Sequence, residues 1–395
     1  MIDLEAPLVR LAVISDLHAF ASPEKSKDSV MDLTGSNNNV ANPLIDLIDA
    51  VTERGLTADV LVCAGDICNQ ADLPGLQRAW EKIHVLSHAL RASQTISTCG
   101  NHDLDSRYLS KESDPDPKGF LLSLNPPFPF EDEPLNDRYW ARNYAMATLS
   151  NGVVIVSLNS SAFHGGKPEE IDHGRVSRRT IDALCAELRG KRTASAHILL
   201  CHHHPAPQSG WQGRADIEYI ANGPVLLDKL TKATDSSWLV IHGHRHVPRL
   251  IHGASPSNRV PFIFGAGSLG ARIPGVANQF HMVDIHQSAA SDHTSIVGAV
   301  RTWSWTDSAK WTSSTGPAGL PAACGFGYQG QTKALASQID ALVGQSFAPW
   351  TQVRSSVPSV DLLLPDSLSQ LVRDLESLGI QINYAKDGQP SQVGR

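Results

Sequence analysis

Val9-Arg10-Leu11-Ala12-Val13-Ile14-Ser15-Asp16-Leu17-His18 stands near the start of this 395-residue chain, and its reading decides the fold. An apolar, β-branched run of this length is a buried strand. It ends in an aspartate and a histidine two positions apart. In the extended turn after a strand, such a pair can aim both side chains at one ion; the ordinary alternative is a helix-starting aspartate beside an incidental surface histidine. The same arrangement, a short apolar run and then metal-type residues, recurs four more times.

Asp59 to Cys63 reads as a second strand, followed by Gly65-Asp66-Ile67-Cys68-Asn69. The glycine permits a sharp turn, and a carboxylate such as Asp66 can give one oxygen to each of two cations. Thr95 to Thr98 is a third strand, followed by Gly100-Asn101-His102-Asp103. Here Asn101 offers a neutral amide oxygen and His102 a group able to donate a proton. His197 to Cys201 leads into His202-His203-His204-Pro205, three histidines that are unfavourable to bury without ligands or hydrogen bonds. Trp238 to Ile241 leads into His242-Gly243-His244-Arg245-His246, where His244 and His246 could reach one centre from one loop. Spacing alone leaves open which of His202, His203 and His204 faces a metal. Eight of the 17 histidines fall in these motifs. Loops after strands of an α/β sheet are where such folds build their sites, and this donor set suits Mn, Fe or Zn. With no cysteine needed, a structural zinc cluster is excluded.

Between the strands lie helical patterns: one from Pro43 with Leu44, Leu47, Ile48 and Val51 on one face, then Leu73 to Arg91, Ser177 to Leu188, and 224–233. Strands are expected near 141–148 and 153–158, and short β runs at 249–252, 261–265, 280–285 and 295–302 predict a second sheet. Residues 104–139, with six prolines and many charges, read as a long insertion of lid type. After residue 302 the composition changes. The expectation for 303–395 is a loop-like stretch carrying Trp303, Trp305 and Trp311, then two helices (331–345 and 365–378) and a polar tail. Leu335, Ile339 and Leu342 could face their own domain or a protein partner.

Bulk properties narrow the class. Apolar content is 41% and charged content 18%, ordinary for a globular protein. A formal charge of −7 argues against a broad basic surface that grips nucleic acid. The acidic Asp3 and Glu5 do not suit a secretory leader, no stretch has the length of a membrane span, and Cys63, Cys99 and Cys201 read as reduced core thiols. The expectation is a cytoplasmic protein that does not enter membranes.

Taken in order, Asp16-x-His18, Gly65-Asp66-x-x-Asn69, Gly100-Asn101-His102-Asp103, His203-x-Pro205 and Gly243-His244-x-His246 resemble the signature of calcineurin-like metallophosphoesterases across residues 9–300. The resemblance implies a four-layer α/β/β/α sandwich of two mixed sheets in residues 1–302, with a mainly helical C-terminal extension. It implies one metal on Asp16, His18, Asp66 and His246, with Asp66 bridging to a second on Asn101, His203 and His244. His203 is chosen because it stands two before the proline; His202 and His204 remain alternatives. It further implies phosphoester hydrolysis by a dinuclear-metal-activated hydroxide, with His102 as proton donor and Asp103 beside it to orient it. Asn69 and Asp72 are supporting candidates, and His164 and His173 are candidates for substrate contact. The Asp-Arg-Gly of the protein phosphatases is missing after Asp66. The His-rich loops are closer in style to the bacterial cyclic-nucleotide phosphodiesterase branch, which points to a small phosphodiester. A nuclease of the DNA-repair type, or a subunit docking through 331–395, is the alternative.

Overall fold

Strand β1 (Val9–Ile14) is buried along nearly its whole length and is central in its sheet. It runs parallel to β2 (Val60–Cys63), which runs parallel to β3 (Gln94–Ser97). The computed structural model describes residues 6–35, 41–106, 116–165, 170–171, 173–208, 216–253, 259–314, 318–385 and 389–395. On its other side β1 pairs antiparallel with β10 (Asn278–Gln287), and β10 with the long β11 (His293–Thr306). β12 (Lys310–Ser313) and β13 (Ala323–Tyr328) both pair with the far side of β11.

The second sheet has the order β4 (Tyr144–Thr148), β5 (Val153–Leu158), β6 (Ala196–Cys201), β7 (Trp238–His242), β9 (Phe262–Gly265) and β8 (Arg249–His252). Its four inner strands are parallel, and β4 and β8 close it antiparallel. Such strands, buried on both faces, read as continuous apolar runs rather than alternations.

Helices cover the outer faces. α1 (Pro43–Glu53) starts at Asn42, whose side chain accepts from the backbone N–H of Leu44 and Ile45, with Pro43 in the first turn. It lies with α2 (Leu73–Ala89) on the first sheet, and their apolar faces join the buried apolar cluster that includes that sheet's strands. α5 (Arg178–Leu188), capped by the Ser177 hydroxyl, and α6 (Gly223–Thr234) cover the second sheet around Trp238 and Leu199. The fold is therefore mixed α/β, with two large mixed sheets flanked by helices.

Three expectations change. Residues 116–139 are built into the core rather than held out as a lid. α3 (Gly119–Leu122) and α4 (Glu133–Arg142) bury Leu121, Phe128 and Tyr139. The Tyr139 hydroxyl lies 2.9 Å from Thr98 Oγ1 and accepts from the Cys99 N–H. Residues 107–115 of the insertion lie outside the described residues. Second, the Trp-bearing stretch after residue 302 is not a loop. Trp303 and Trp305 continue β11 and Trp311 sits in β12, where its indole N–H donates to the Pro43 carbonyl. Tryptophan-rich strands alternate with small polar residues here, a pattern too short to separate from a turn by periodicity.

Third, the C-terminal segment is more than two helices. α7 (Thr332–Val343), α8 (Trp350–Ser356) and α9 (Pro365–Ser377) pack with a small sheet, β14 (Phe347–Pro349), β16 (Pro390–Gly394) and β15 (Gln381–Tyr384). Leu335 and Ile339 belong to its core, and Leu342 packs against it. Strands of three to five residues carry no readable alternation, which is why the polar tail concealed a β ribbon. The segment is tied to the first sheet through β13, where Gly325 N–H donates to the Leu363 carbonyl. All six cysteines are buried and unbridged.

Candidate metal centre

The five motif loops emerge at the C-terminal ends of β1, β2, β3, β6 and β7, three from the first sheet and two from the second. Facing sheets thus bring their loop ends to one place. Two groups of side chains meet there with ligand atoms within 4.8 Å: Asp16, His18, Asp66 and His246, and His202, His203 and His244.

Backbone conformation aims these side chains. Asp16, His18, Asp66, His244 and His246 all have φ between 47° and 71°. Non-glycine residues avoid this left-handed region, at a cost on the order of 1 kcal/mol or more each. Five such residues within one cluster are held there by their surroundings. The N–H of His244 donates to both Asp16 oxygens at 3.0 and 3.2 Å, and the Asp16 carbonyl accepts from the Ser268 hydroxyl at 2.6 Å. Two glycines allow the close approach. A Cβ on Gly100 would collide with the Asp66 carboxylate, and one on Gly243 with the side chains of Ser15 and Asp16.

In the first group, His246 Nε2 lies 3.0 Å from His18 Nε2 and 3.3 Å from Asp16 Oδ1. Asp66 joins the two groups, its Oδ2 being 3.6 Å from His18 Nε2 and 3.3 Å from His202 Nε2. Its Oδ1 accepts from the His102 N–H. In the second group, Asn101 Oδ1 lies 3.1 Å from both His202 Nε2 and His244 Nδ1. The other nitrogen of His202, Nδ1, lies 2.8 Å from the Ala64 carbonyl, so it carries the proton and Nε2 is turned to the cluster.

Sequence reasoning put His203 in this place. Both histidines reach His244, but His202 is the one that also touches Asp66 and Asn101. His203 Nδ1 is engaged by the Ser160 hydroxyl at 2.9 Å, and its buried Nε2 has no hydrogen-bond partner among the described residues. His204 turns away and pairs with Asp216 at 2.7 Å. Counting back from the proline singles out His203, which shares the group with His244, while the contacts to Asp66 and Asn101 fall to His202, one of the alternatives left open.

Asn69, a supporting candidate on sequence, lies between two of the site's rings. Its Oδ1 lies 3.3 Å from His18 Nδ1 and 3.1 Å from His102 Nδ1, while its amide N–H groups donate to the Lys25 and Lys27 carbonyls. One fixed amide therefore sets two rings. Asp103 does not orient His102. Its carboxylate accepts from the N–H of Cys68 and Gly100, stitching the β2 and β3 loops together. Asp72 is likewise structural, accepting from the N–H of Ala21 and Ser22. His164 stacks on His203 with centroids 5.3 Å apart, and its Nε2 meets the His173 carbonyl. His173 faces Glu170 at 3.4 Å. Glu218, not anticipated from the sequence, lies 3.6 Å from His244 Nε2 and also pairs with Arg245. It stands in an irregular segment with no motif to mark it.

Electrostatics match a cation site. Burial works against ionisation of Asp66, yet His202 and His102 hold its carboxyl well below the usual range. Burial, His102 and His246 push His18 down to about 3, so its imidazole is neutral and can donate a lone pair. Burial would lower His202 too, but Asp66 lifts it to about 9; a cation at the same point would take the place of that proton. Two converging carboxylates, of which Asp66 reaches both groups, an amide oxygen and five imidazoles fit two metal ions of the borderline class.

With this geometry the comparisons agree. A family model for the calcineurin-like phosphoesterase matches residues 9–248. The chain belongs to that family. A second model, wHTH-Calcineurin_assc, matches 324–377, the segment that runs from β13 through α7 to α9. None of the curated proteins matches the sequence. Among solved structures, the phosphoesterase chain is similar to a 5'-nucleotidase precursor from Thermus thermophilus. The identity is 13% and the TM-score 0.37, over 81% of this chain and 54% of that one. It is also similar to a purple acid phosphatase from yellow lupin (Lupinus luteus) seeds, at 11% identity and TM-score 0.44, over 82% and 55%. A third is the NAD nucleotidase of Haemophilus influenzae, at 10% identity and TM-score 0.35, over 94% and 60%. The chain thus spans little more than half the length of these structures. Among its described residues, no helix is long and apolar enough to cross a membrane.

Proposed function

We propose that this phosphoesterase hydrolyses a small phosphodiester of nucleotide type at a dinuclear metal centre of Mn, Fe or Zn. The observation that carries the reading is Asp66 Oδ2, poised between His18 Nε2 of one ligand group and His202 Nε2 of the other. Asp16, His18, Asp66 and His246 would hold one ion, and Asp66, Asn101, His202 and His244 the second, with His203 beside it. Ions so held act as Lewis acids on phosphoryl oxygens and lower the pKa of a water.

The chain supplies the rest. Asn69 takes the Nδ1 side of His102, which leaves Nε2 as the nitrogen that holds or gives a proton to the leaving oxygen. Burial lowers the pKa of the His102 ring, so its protonated form readily gives the Nε2–H to a leaving oxygen. A diester is favoured over a monoester on charge. Arg245, in the ligand loop, is taken up by Glu218, and Arg175, near His173, by Glu170. These guanidiniums are neutralised and offer little to the second negative charge of a terminal phosphate.

The test is Mn-supplemented hydrolysis of a bis-aryl phosphodiester and the matching aryl monoester by wild type and Asp66→Asn. Diester cleavage lost in the variant supports the reading. Preference for the monoester moves the enzyme to phosphomonoesters. Cleavage of neither, with cleavage of single-stranded oligonucleotides, moves it to nucleases.

A further inference from the structure

The winged helix leaves a cavity of about 1030 Å³ between itself and the first sheet, on the β10–β11–β13 side. Helix α9 lines it with Leu368, Ser369 and Val372, positions that share one helical face. In a helix-turn-helix this second helix is the one that enters a nucleic-acid groove. Here part of that helix is turned toward its own phosphoesterase domain. The charge of the module does not suit nucleic acid either: residues 324–395 carry five Lys and Arg against six Asp and Glu.

The cavity has its own charge pattern. Three arginines line it, Arg10 from β1, Arg301 from β11 and Arg354 from α8, against two carboxylates, Asp284 and Asp361. Arg10 engages Asp284 through both oxygens, at 2.6 and 3.0 Å, and Arg354 engages Asp361 at 2.6 Å. Arg301 is left with a distant share of Asp284, 3.6 Å away, and lies 6.0 Å from the ring centre of Trp303. Burial disfavours its charge, Asp284 restores it in part, and Arg10 and Arg354 push it further down. One guanidinium is therefore in excess, on a side chain that is 41% exposed at the cavity. The same cavity is lined by Trp350 and the apolar face of α9. Concave, largely apolar walls with a few convergent polar groups are the hallmarks of a small-molecule site.

We infer that this cavity is a second ligand site, separate from the metal cluster, for a small organic anion: a phosphate or carboxylate on a flat apolar body. The anionic group meets Arg301 and its neighbours, and the flat body lies between Trp350 and Leu368 and Val372. This inference is independent of what the metal centre hydrolyses.

The test follows Trp350 fluorescence in the full chain, with Trp350→Phe as the control that assigns the signal. The probes are AMP, benzoate, inorganic phosphate and adenosine. Saturable binding is expected for AMP or benzoate, with phosphate or adenosine alone at least tenfold weaker; AMP binding identifies the phosphate and benzoate binding the carboxylate. Arg301→Gln is expected to weaken binding at least tenfold. Val372→Trp, which puts a bulky ring where the flat body would lie, is expected to abolish it, with Leu368→Trp as a second filling variant and melting temperatures to show that each folds. His244→Ala, in the metal cluster, should bind the probe as wild type does. Failure of every probe, persistence of binding in both a folded filling variant and Arg301→Gln, or loss in His244→Ala would overturn the inference.

Discussion

His202 Nε2 lies 3.3 Å from Asp66 Oδ2, so an imidazole from the second sheet meets a carboxylate from the first. The same ring also meets the Ala64 carbonyl, 138 residues away in sequence. The contact with Asp66 makes the centre a property of the sandwich and not of either sheet.

Replacing that carboxylate should break both ligand groups together. Asp66→Asn is expected to lower diester turnover by roughly a thousandfold or more, since activation of water and charge stabilisation both depend on the ions. Metal analysis should find fewer than two ions per chain, with the far-ultraviolet circular dichroism unchanged.

The adjacent histidines separate by metal content. His202→Ala is expected to lose one ion per chain, while His203→Ala keeps both and alters substrate affinity. The reverse result in metal analysis would return the ligand role to His203.

Asn69 acts through the two rings it holds. Asn69→Leu is expected to lower kcat by about 10–100-fold, the usual effect of removing a hydrogen-bond partner of a ligand histidine. Because His102 loses its orientation as well, the pH profile of kcat should shift, which a loss of stability alone would not produce.

Asp103 contributes to stability more than to chemistry. Its carboxyl, pushed up to about 7 by burial and by Asp66, still accepts two backbone N–H groups. Asp103→Ala leaves both donors buried and unpaired, at about 1–3 kcal/mol each. A lower melting temperature is expected, with activity per folded molecule within tenfold of wild type at low temperature.

Acid sensitivity should have a contribution far from the metals. His281 is buried and pushed down to about 4, with Nε2 at the Ala266 carbonyl and Nδ1 at the Thr302 hydroxyl. The unfolded chain takes up this proton near pH 6.5 and the folded one only near 4. Its stabilisation is therefore complete above about 6.5 and lost as pH falls toward 4, amounting to about 2 kcal/mol at pH 5. Urea unfolding at pH 8 and pH 5 should show this loss in wild type and a smaller one in His281→Gln.

Much of the catalytic domain was legible because its signals are local. A buried parallel strand is a continuous apolar run, and the turn after it shows its ligands openly, so β1, β2, β3, β6 and β7 and their motifs could be read one by one. Ser177 and Pro43 marked helix starts by the same local logic. The winged helix was only half legible, since β14 to β16 are too short for alternation to show.

What the sequence determined by itself is the chemistry on offer: which loops carry carboxylate, amide and imidazole, and in what order along the chain. The tertiary structure alone decided how they meet. Division of the motif loops between two sheets, the choice of His202 over its neighbours for contact with Asp66, and the assignment of Asn69 to two rings and Asp103 to none all depend on side-chain direction. That direction is set by backbone conformation at strand ends, where φ at Asp16, His18, Asp66, His244 and His246 is positive because the packed loops around them hold it so. Local sequence preferences oppose that conformation, and only the assembled fold imposes it.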